Sequence, residues 1–365
     1  MNGVWLRSVW ERRGIWGKTI WVLLLPASYL YALAVRIRNT FFSRGWIRSS
    51  ALDRPVISIG NLTVGGTGKT PSCLWLAQEL AKRGFKVGIL SRGYSRKQTF
   101  SVILGSGTNG LAATELRDEV SLAGDEPSMM ARLYGQTVGV GKNRYETAVA
   151  LLRQQDIDVF ILDDGYQHRQ LNRDVDLLLL GNDVNGCLLP SGPFREPRNA
   201  LRRADYFLLT GAGQEWRALL PESQQSRCFT GSLRAVALVG FDAGRWKEYP
   251  LSLLYRSKIL TVTGIADPRG FYRMIDEWEG DIVDALQFAD HHAYSSQDWQ
   301  KISRRARNVE LVLTTEKDIL KLIAFPFARG KLLALRVAMT VDDSERLIQS
   351  IVEKIRNHPA PPRPA

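Results

Sequence analysis

The chain has few of the residues that build disulfide frameworks and metal clusters. Its 365 residues include three cysteines, Cys73, Cys187 and Cys228, which lie far apart and form no CxxC pair. A disulfide scaffold and a zinc ribbon are therefore disfavoured, and a reducing compartment is favoured. Histidine is almost as scarce. There are four, and only His291 and His292 are neighbours, with no cysteine near them and no metal-template spacing. Acids are under-represented, 37 against 49 lysines and arginines, which leaves a formal charge of +12. That surplus calls for a polyanionic partner: nucleic acid, anionic lipid or a phosphorylated ligand. Internal repeats are lacking. With 45% apolar and 24% charged residues the composition is globular, not disordered, and the length fits two domains.

What is present is unevenly spread. Residues 1–48 hold eight Lys/Arg against one acid, Glu11, and five of the ten tryptophans. Between Lys18 and Arg36 runs an uncharged stretch, TIWVLLLPASYLYALAV, 17 residues long. That is the lower limit for a spanning helix, and Pro26 is expected to kink it or break it in two. Flanking cations and Trp/Tyr edges suit a bilayer interface. The reading is a membrane-surface anchor that dips in without crossing. Ala32-Leu33-Ala34 resembles a signal-peptide cleavage site, but the long, Trp-rich leader and the nucleotide-binding pattern after it argue against export.

From residue 56 onward short apolar runs alternate with helical patterns. Strands are expected at 56–60, 86–90, 100–105, 137–140, 159–165, 175–181 and 206–211, with helices at 70–83 and 143–155. A second series has strands at 258–264, 310–315 and 331–337 and helices near 268–278 and 342–356. Near-continuous apolar strands alternating with helices predict an α/β fold with a mostly parallel sheet. The expected division is a helical segment 1–50, a first α/β domain 51–240, a smaller C-terminal α/β domain 241–357 and a proline-rich disordered tail 358–365.

The strongest chemical signal is GNLTVGGTGKTP at 60–71. A strand runs into a glycine-rich loop and GKT opens a helix, so backbone N–H groups would wrap a phosphate at a helix N-terminus. Lys69 would reach the β- and γ-phosphates and the Thr70 hydroxyl would ligate Mg²⁺. The first loop position is Thr63 where the pattern has Gly. Downstream, VFILDDG ends an apolar strand in Asp163 and Asp164, where a Mg²⁺-organising carboxylate is expected. Neighbours in a strand point to opposite faces, so the two should divide the work, one toward metal and one toward the loop. AGDEP (123–127) offers Asp125 and Glu126 either as a helix start or as a base for an incoming hydroxyl. FADHHAY (288–294) carries the paired histidines. Basic loops recur at LSRGYSR (90–96) and at 191–205, where Arg195, Arg198, Arg202 and Arg203 could clamp phosphates or simply be solvated.

Taken together, TVGGTGKTP, LSRGYSR, GDEP, LDDGYQHR, LLPSGPFREP, VTGIADPRGF, ADHHAY and TTEKD, in this order over residues 10–350 or so, strongly resemble the tetraacyldisaccharide 4'-kinase family, the lipid A 4'-kinases. The resemblance implies a phosphate-loop NTPase domain, a smaller α/β domain and an N-terminal membrane-associated helical segment. It implies transfer of the γ-phosphate of ATP, with Mg²⁺, to the 4'-hydroxyl of a tetraacylated glucosamine disaccharide 1-phosphate, peripherally or monotopically at the cytoplasmic face of the bacterial inner membrane. Carried over by residue, Thr63, Val64, Gly65, Gly66, Thr67, Gly68, Lys69 and Thr70 hold the nucleotide. Asp125 is the general base and His291 its partner, with His292 next door leaving that assignment open. Glu126, Asp163 and Asp164 are acids near the metal, and Tyr94 and Arg198 lie in substrate-contacting loops. Anionic inner-membrane lipids are the expected partner of the N-terminal charge, with no nucleic acid and no obligatory protein partner.

Two other classes fit parts of the pattern. A membrane-recruited NTPase switch would share the loop, but the guanine-reading [NT]-K-x-D is met only by Thr315-Glu316-Lys317-Asp318, with Lys one place late. A basic nucleic-acid binder would share the charge, but no recognition helix or zinc motif accompanies it.

Overall fold

The structure, a computed structural model, describes residues 3–93, 100–105, 112–328 and 330–358. Its strands in chain order are β1 (Val56–Asn61), β2 (Val87–Ser91), β3 (Val102–Leu104), β4 (Thr137–Val140), β5 (Val159–Leu162), β6 (Val175–Leu180), β7 (Tyr206–Leu209), β8 (Cys228–Asp242), β9 (Arg245–Tyr249), β10 (Lys258–Thr263), β11 (Asp281–Gln287), β12 (Leu311–Thr315) and β13 (Leu332–Val341). The fold is α/β with mostly parallel pairing, as the alternation predicts.

The chain forms two compact units. The first comprises Met1–Arg92, Asn143–Leu233 and Met339–Ala365, and the second Gly93–Lys142 and Arg234–Ala338. The linear division at 240/241 differs from this, because residues 93–142 group with the C-terminal half. The reason is packing that composition cannot show. Helices Ala113–Ala123 and Asp125–Tyr134 both lie against Glu316–Leu322, far away in sequence.

In the first unit the strands run β7-β6-β1-β5-β2, all parallel, with the start of β8 beside β7. Every residue of β1, β5 and β6 is buried, as expected for a sheet covered on both faces. Helix Lys69–Lys82 buries Cys73, Leu74, Leu76, Ala77 and Leu80, an apolar stripe at helical spacing. Left-handed Gly68 starts it, and Gly84, also at positive φ, follows its end. β1 and β5 are direct neighbours (Ile57 pairs with Ile161), so the loops leaving their C-terminal ends lie side by side.

The N-terminal segment departs from expectation at Pro26. Gly14–Ser43 is one continuous 30-residue helix with Pro26 inside it. Proline removes a single backbone hydrogen bond, and side chains of the half of the helix after Pro26, together with Trp10 of the preceding helix Gly3–Trp10, tie the segment to residues 188–196. Trp10 Nε1 donates to Pro190 O at 3.0 Å, Tyr31 OH to Arg195 O at 2.9 Å and Asn39 Nδ2 to Glu196 Oε2 at 2.8 Å. Ser28 Oγ lies 2.6 Å from Ser191 Oγ and accepts from Ser191 N at 3.0 Å. The other face is bare. Ile15, Trp16, Leu23, Tyr29 and Leu30 are all more than 70% exposed. Among the described residues this is the one helix long and apolar enough to cross a membrane, by length and composition.

The second unit has the parallel order β11-β10-β12-β13, the antiparallel pair β3–β4, and the β9 hairpin on the distal part of β8. Burial alternates along the middle of β8, a strand absent from the expected series. The core gathers Leu260, Val262, Tyr294, Ile302, Val312 and Ile319. His358, expected as the first residue of a disordered tail, bonds Asp174 at 2.7 Å and Leu52 O at 3.2 Å; residues 359–365 lie outside the described residues.

Candidate active site

The phosphate loop grows directly out of β1. Asn61, the last strand residue, donates from Nδ2 to Thr67 Oγ1 at 3.0 Å and so spans the loop. Thr63 is buried and bridges Phe194, and Val64 N donates to Pro193 O at 2.8 Å. Arg195 N donates to Leu62 O at 2.7 Å. The loop is therefore splinted by residues 193–195. Gly65 has φ 127° and Gly68 φ 83°, conformations that disfavour any residue with a Cβ. A Cβ on Gly65 or Gly66 would meet nothing within 4 Å, so the backbone there is open to a ligand. Lys69 Nζ donates to Asn61 Oδ1 and Gly65 O, both at 3.3 Å, and lies 3.7 Å from Asp164 Oδ1. These are oxygen partners of the kind a phosphate provides. Thr70, buried in the first turn of the helix, completes the strand–loop–helix cradle.

Asp163 and Asp164 lie in the turn that follows β5, outside the strand, so the expected alternation does not apply to them and the turn sets their different directions. Asp163 is buried, accepting from Ser91 Oγ at 3.2 Å and lying 3.5 Å from Cys73 Sγ on the phosphate-loop helix. Asp164, at φ 50°, faces Lys69 and takes Arg195 Nη1 at 2.8 and 3.0 Å. Burial raises the Asp164 carboxyl, but the Lys69 and Arg195 charges outweigh it and hold the group below the usual carboxylate range. Hard oxygen donors from Thr70, Asp163 and Asp164 around a phosphate cradle fit Mg²⁺, which uses one or two carboxylates together with substrate phosphates. Among the described residues no cluster of three or more His, Cys, Asp or Glu could hold a metal by itself.

In the second unit Asp125 opens helix Asp125–Tyr134 after Gly124, so it is both a helix start and a candidate base. His291 Nδ1 lies 2.9 Å from each carboxylate oxygen. An ionised carboxylate only accepts, so Nδ1 carries the proton. Burial pushes Asp125 up, but the His291 hydrogen bond and the Lys321 and Lys317 charges win and drive it far below the ordinary value. The same bond raises His291. His292 is turned away and bonds Asp298 at 3.0 Å, which resolves the ambiguity between the neighbours. Glu126 is ion-paired with Lys317, within the second unit, whereas Asp163 and Asp164 belong to the first.

Arg198 donates to Val184 O at 2.6 Å and Asn185 Oδ1 at 2.9 Å. The arginine that meets Asp164 is Arg195, three residues earlier, one of several in a basic stretch. Its pairing with Asp164 depends on a backbone bond to Leu62 that no local pattern encodes. Tyr94 lies outside the described residues. Lys321, 3.4 Å from Asp125 Oδ2, was not legible as a site residue; the only signal for it is its one-turn spacing from Asp318 in TTEKD-I-L-K.

A glycine-rich loop between a buried strand and a helix, with Lys and Thr at its end and two acids just after the adjacent strand, defines a phosphate-loop nucleotide-binding protein. Comparison with known proteins gives the family. The sequence model for LpxK, tetraacyldisaccharide-1-P 4'-kinase, matches residues 20–356, and the chain belongs to that family. It is 39% identical over 313 residues to a tetraacyldisaccharide 4'-kinase of Geobacter sulfurreducens, covering 83% of this chain and 84% of the relative. It is 31% identical to one of Blochmanniella pennsylvanica, covering 94% and 96%. A solved structure of LpxK from Aquifex aeolicus in complex with ATP superimposes with a TM-score of 0.76 at 31% identity, covering 92% of this chain and 99% of that one.

Proposed function

We infer that this protein is an ATP-dependent kinase that phosphorylates the 4'-hydroxyl of a tetraacylated glucosamine disaccharide 1-phosphate in lipid A synthesis. The observation that carries this is the family match over residues 20–356. The phosphate cradle at 63–70 supports it.

Residues Thr63–Thr70 bind the nucleotide phosphates through loop N–H groups, and Lys69 exchanges its present oxygen partners for phosphate oxygens. Thr70, Asp163 and Asp164 would hold Mg²⁺. When bound, the ion offsets the charge on the β- and γ-phosphates. The sugar 4'-oxygen attacks the γ-phosphorus, the bridging P–O bond to the β-phosphate breaks, and ADP leaves. Asp125 takes the hydroxyl proton, with His291 holding the carboxylate and supplying a compensating charge. Lys69 stabilises charge developing in transfer. Tyr94 and Arg198 contact the substrate.

The enzyme works at the cytoplasmic face of the inner membrane. The bare face of helix Gly14–Ser43 and the basic residues around it bind anionic lipid while the acyl chains of the substrate stay in the bilayer. No nucleic acid and no obligatory protein partner enters this scheme. Incubating the purified protein with ATP and a tetraacyl disaccharide 1-phosphate should give a product one phosphate heavier by mass spectrometry. Nucleotide turnover without any mass change in the lipid would sink the reading.

A further inference from the structure

A fully buried acid lies behind the Asp125–His291 pair and touches the supports of both. Asp318 is 0% exposed. Its Oδ1 lies 3.1 Å from Lys321 Nζ, one helical turn on. Its Oδ2 accepts from Gly264 N at 2.9 Å and from Thr315 Oγ1 at 2.7 Å. Lys321, itself only 8% exposed, reaches Asp125 Oδ2 at 3.4 Å and lies 5.5 Å from the centre of the Tyr294 ring. Gly264 O in turn accepts from His291 N at 3.1 Å, which holds His291 in a left-handed conformation at φ 57°.

This arrangement orients the carboxylate. Asp125 Oδ1 accepts from Glu126 N at 2.9 Å while Oδ2 faces Lys321, and His291 Nδ1 straddles the two. Donors on both oxygens stop rotation about the carboxylate bond. An ammonium buried beside two carboxylates is stable there only while both remain. Flexible lysine stems rarely hold one position, but here Asp318 and the Tyr294 ring confine it.

We propose that Lys321, fixed by Asp318, is a positioning residue for phosphoryl transfer: it holds Asp125 in the orientation in which the carboxylate takes the acceptor proton, while Asp318 sets His291 through Gly264. This rests on Asp125 being the base. A residue that acts only through Asp125 alters the chemical step and leaves substrate binding alone.

The test is a double-mutant cycle on the full-length enzyme with ATP and tetraacyl disaccharide 1-phosphate. Asp125→Asn is expected to lower kcat by about 10²–10⁴-fold. Lys321→Met should lower kcat about tenfold or more with the KM for ATP and lipid unchanged, and Lys321→Arg should recover part of the loss. In the Asp125→Asn background Lys321→Met should cost less than about twofold, because coupled residues are non-additive. Full kcat in Lys321→Met, or an equal loss in both backgrounds, overturns the proposal while leaving Asp125 as base. Full kcat in Asp125→Asn overturns the underlying reading instead. If Lys321→Met does not fold, Lys321→Gln, which keeps a donor toward Asp318, takes its place with the same outcomes.

Discussion

Ser28→Ala tests how the N-terminal helix is tied to the nucleotide site. Ser28 is 6% exposed and Ser191 is fully buried. The Ser28 hydroxyl accepts from Ser191 N, shares a 2.6 Å bond with Ser191 Oγ and donates to Leu188 O at 3.0 Å. Alanine removes one oxygen and leaves the Ser191 amide buried without that acceptor. An orphaned buried donor costs about 1–3 kcal/mol, and the small void adds little. The expected loss is thus about 1–3 kcal/mol in the transition of the first unit, read by urea unfolding with tryptophan fluorescence. Ser191→Ala alone removes one neutral hydrogen bond, worth about 1 kcal/mol. In the Ser28→Ala background it should cost clearly less, because its partner is already gone. The same loop splints the phosphate loop through Pro193 O and Arg195 N, so the KM for ATP should rise with the stability loss. A Ser28→Ala protein within about 0.5 kcal/mol of the parent, the range of an ordinary surface change, would refute the reasoning.

Other outcomes follow from the same structure. Lys69→Met should lower kcat by about 10²–10³-fold, the cost of removing one preorganised donor from a developing charge; single-turnover transfer within threefold of the parent contradicts the role. His168 is pushed down to about 4 by burial and by the charges of Arg144 and Arg173. Below pH 6.5 the unfolded chain binds a proton the folded one refuses, so this contribution is present above 6.5 and is lost as pH falls toward 4. Urea unfolding of His168→Gln should show a shallower pH slope between those values, and an unchanged slope counts against it. Trp16→Glu/Leu23→Glu/Leu30→Glu alters three exposed positions. It should abolish co-sedimentation with anionic vesicles and leave the melting temperature unchanged; retained vesicle binding removes this face as the anchor.

Much of the chemistry was legible in the chain because it is local. A phosphate loop needs glycines, Lys and Thr at fixed offsets, and a doubly covered parallel strand must be apolar at every position. Those constraints located residues 63–70, Asp163 and Asp164 and the elements around them. The different settings of the two acids did not follow from strand alternation, because both lie in the turn after β5, with Asp164 at positive φ. Helix Gly14–Ser43 was legible as apolar and basic but not as continuous, because whether Pro26 breaks it depends on bonds to residues 188–196, outside any local window.

Amino-acid order by itself therefore determined the class of protein, the nucleotide cradle and the surplus of positive charge beside an apolar segment. Tertiary structure decided that His291 and not His292 meets Asp125, that Arg195 meets Asp164, and that residues 93–142 join the C-terminal half. It also brought Lys321 to Asp125 across 196 positions of chain. The physical reason is common to all of these. Backbone preference and periodicity act over a few residues, whereas the pairing of buried charges is settled by packing, which brings distant elements together and must leave each charge with a partner.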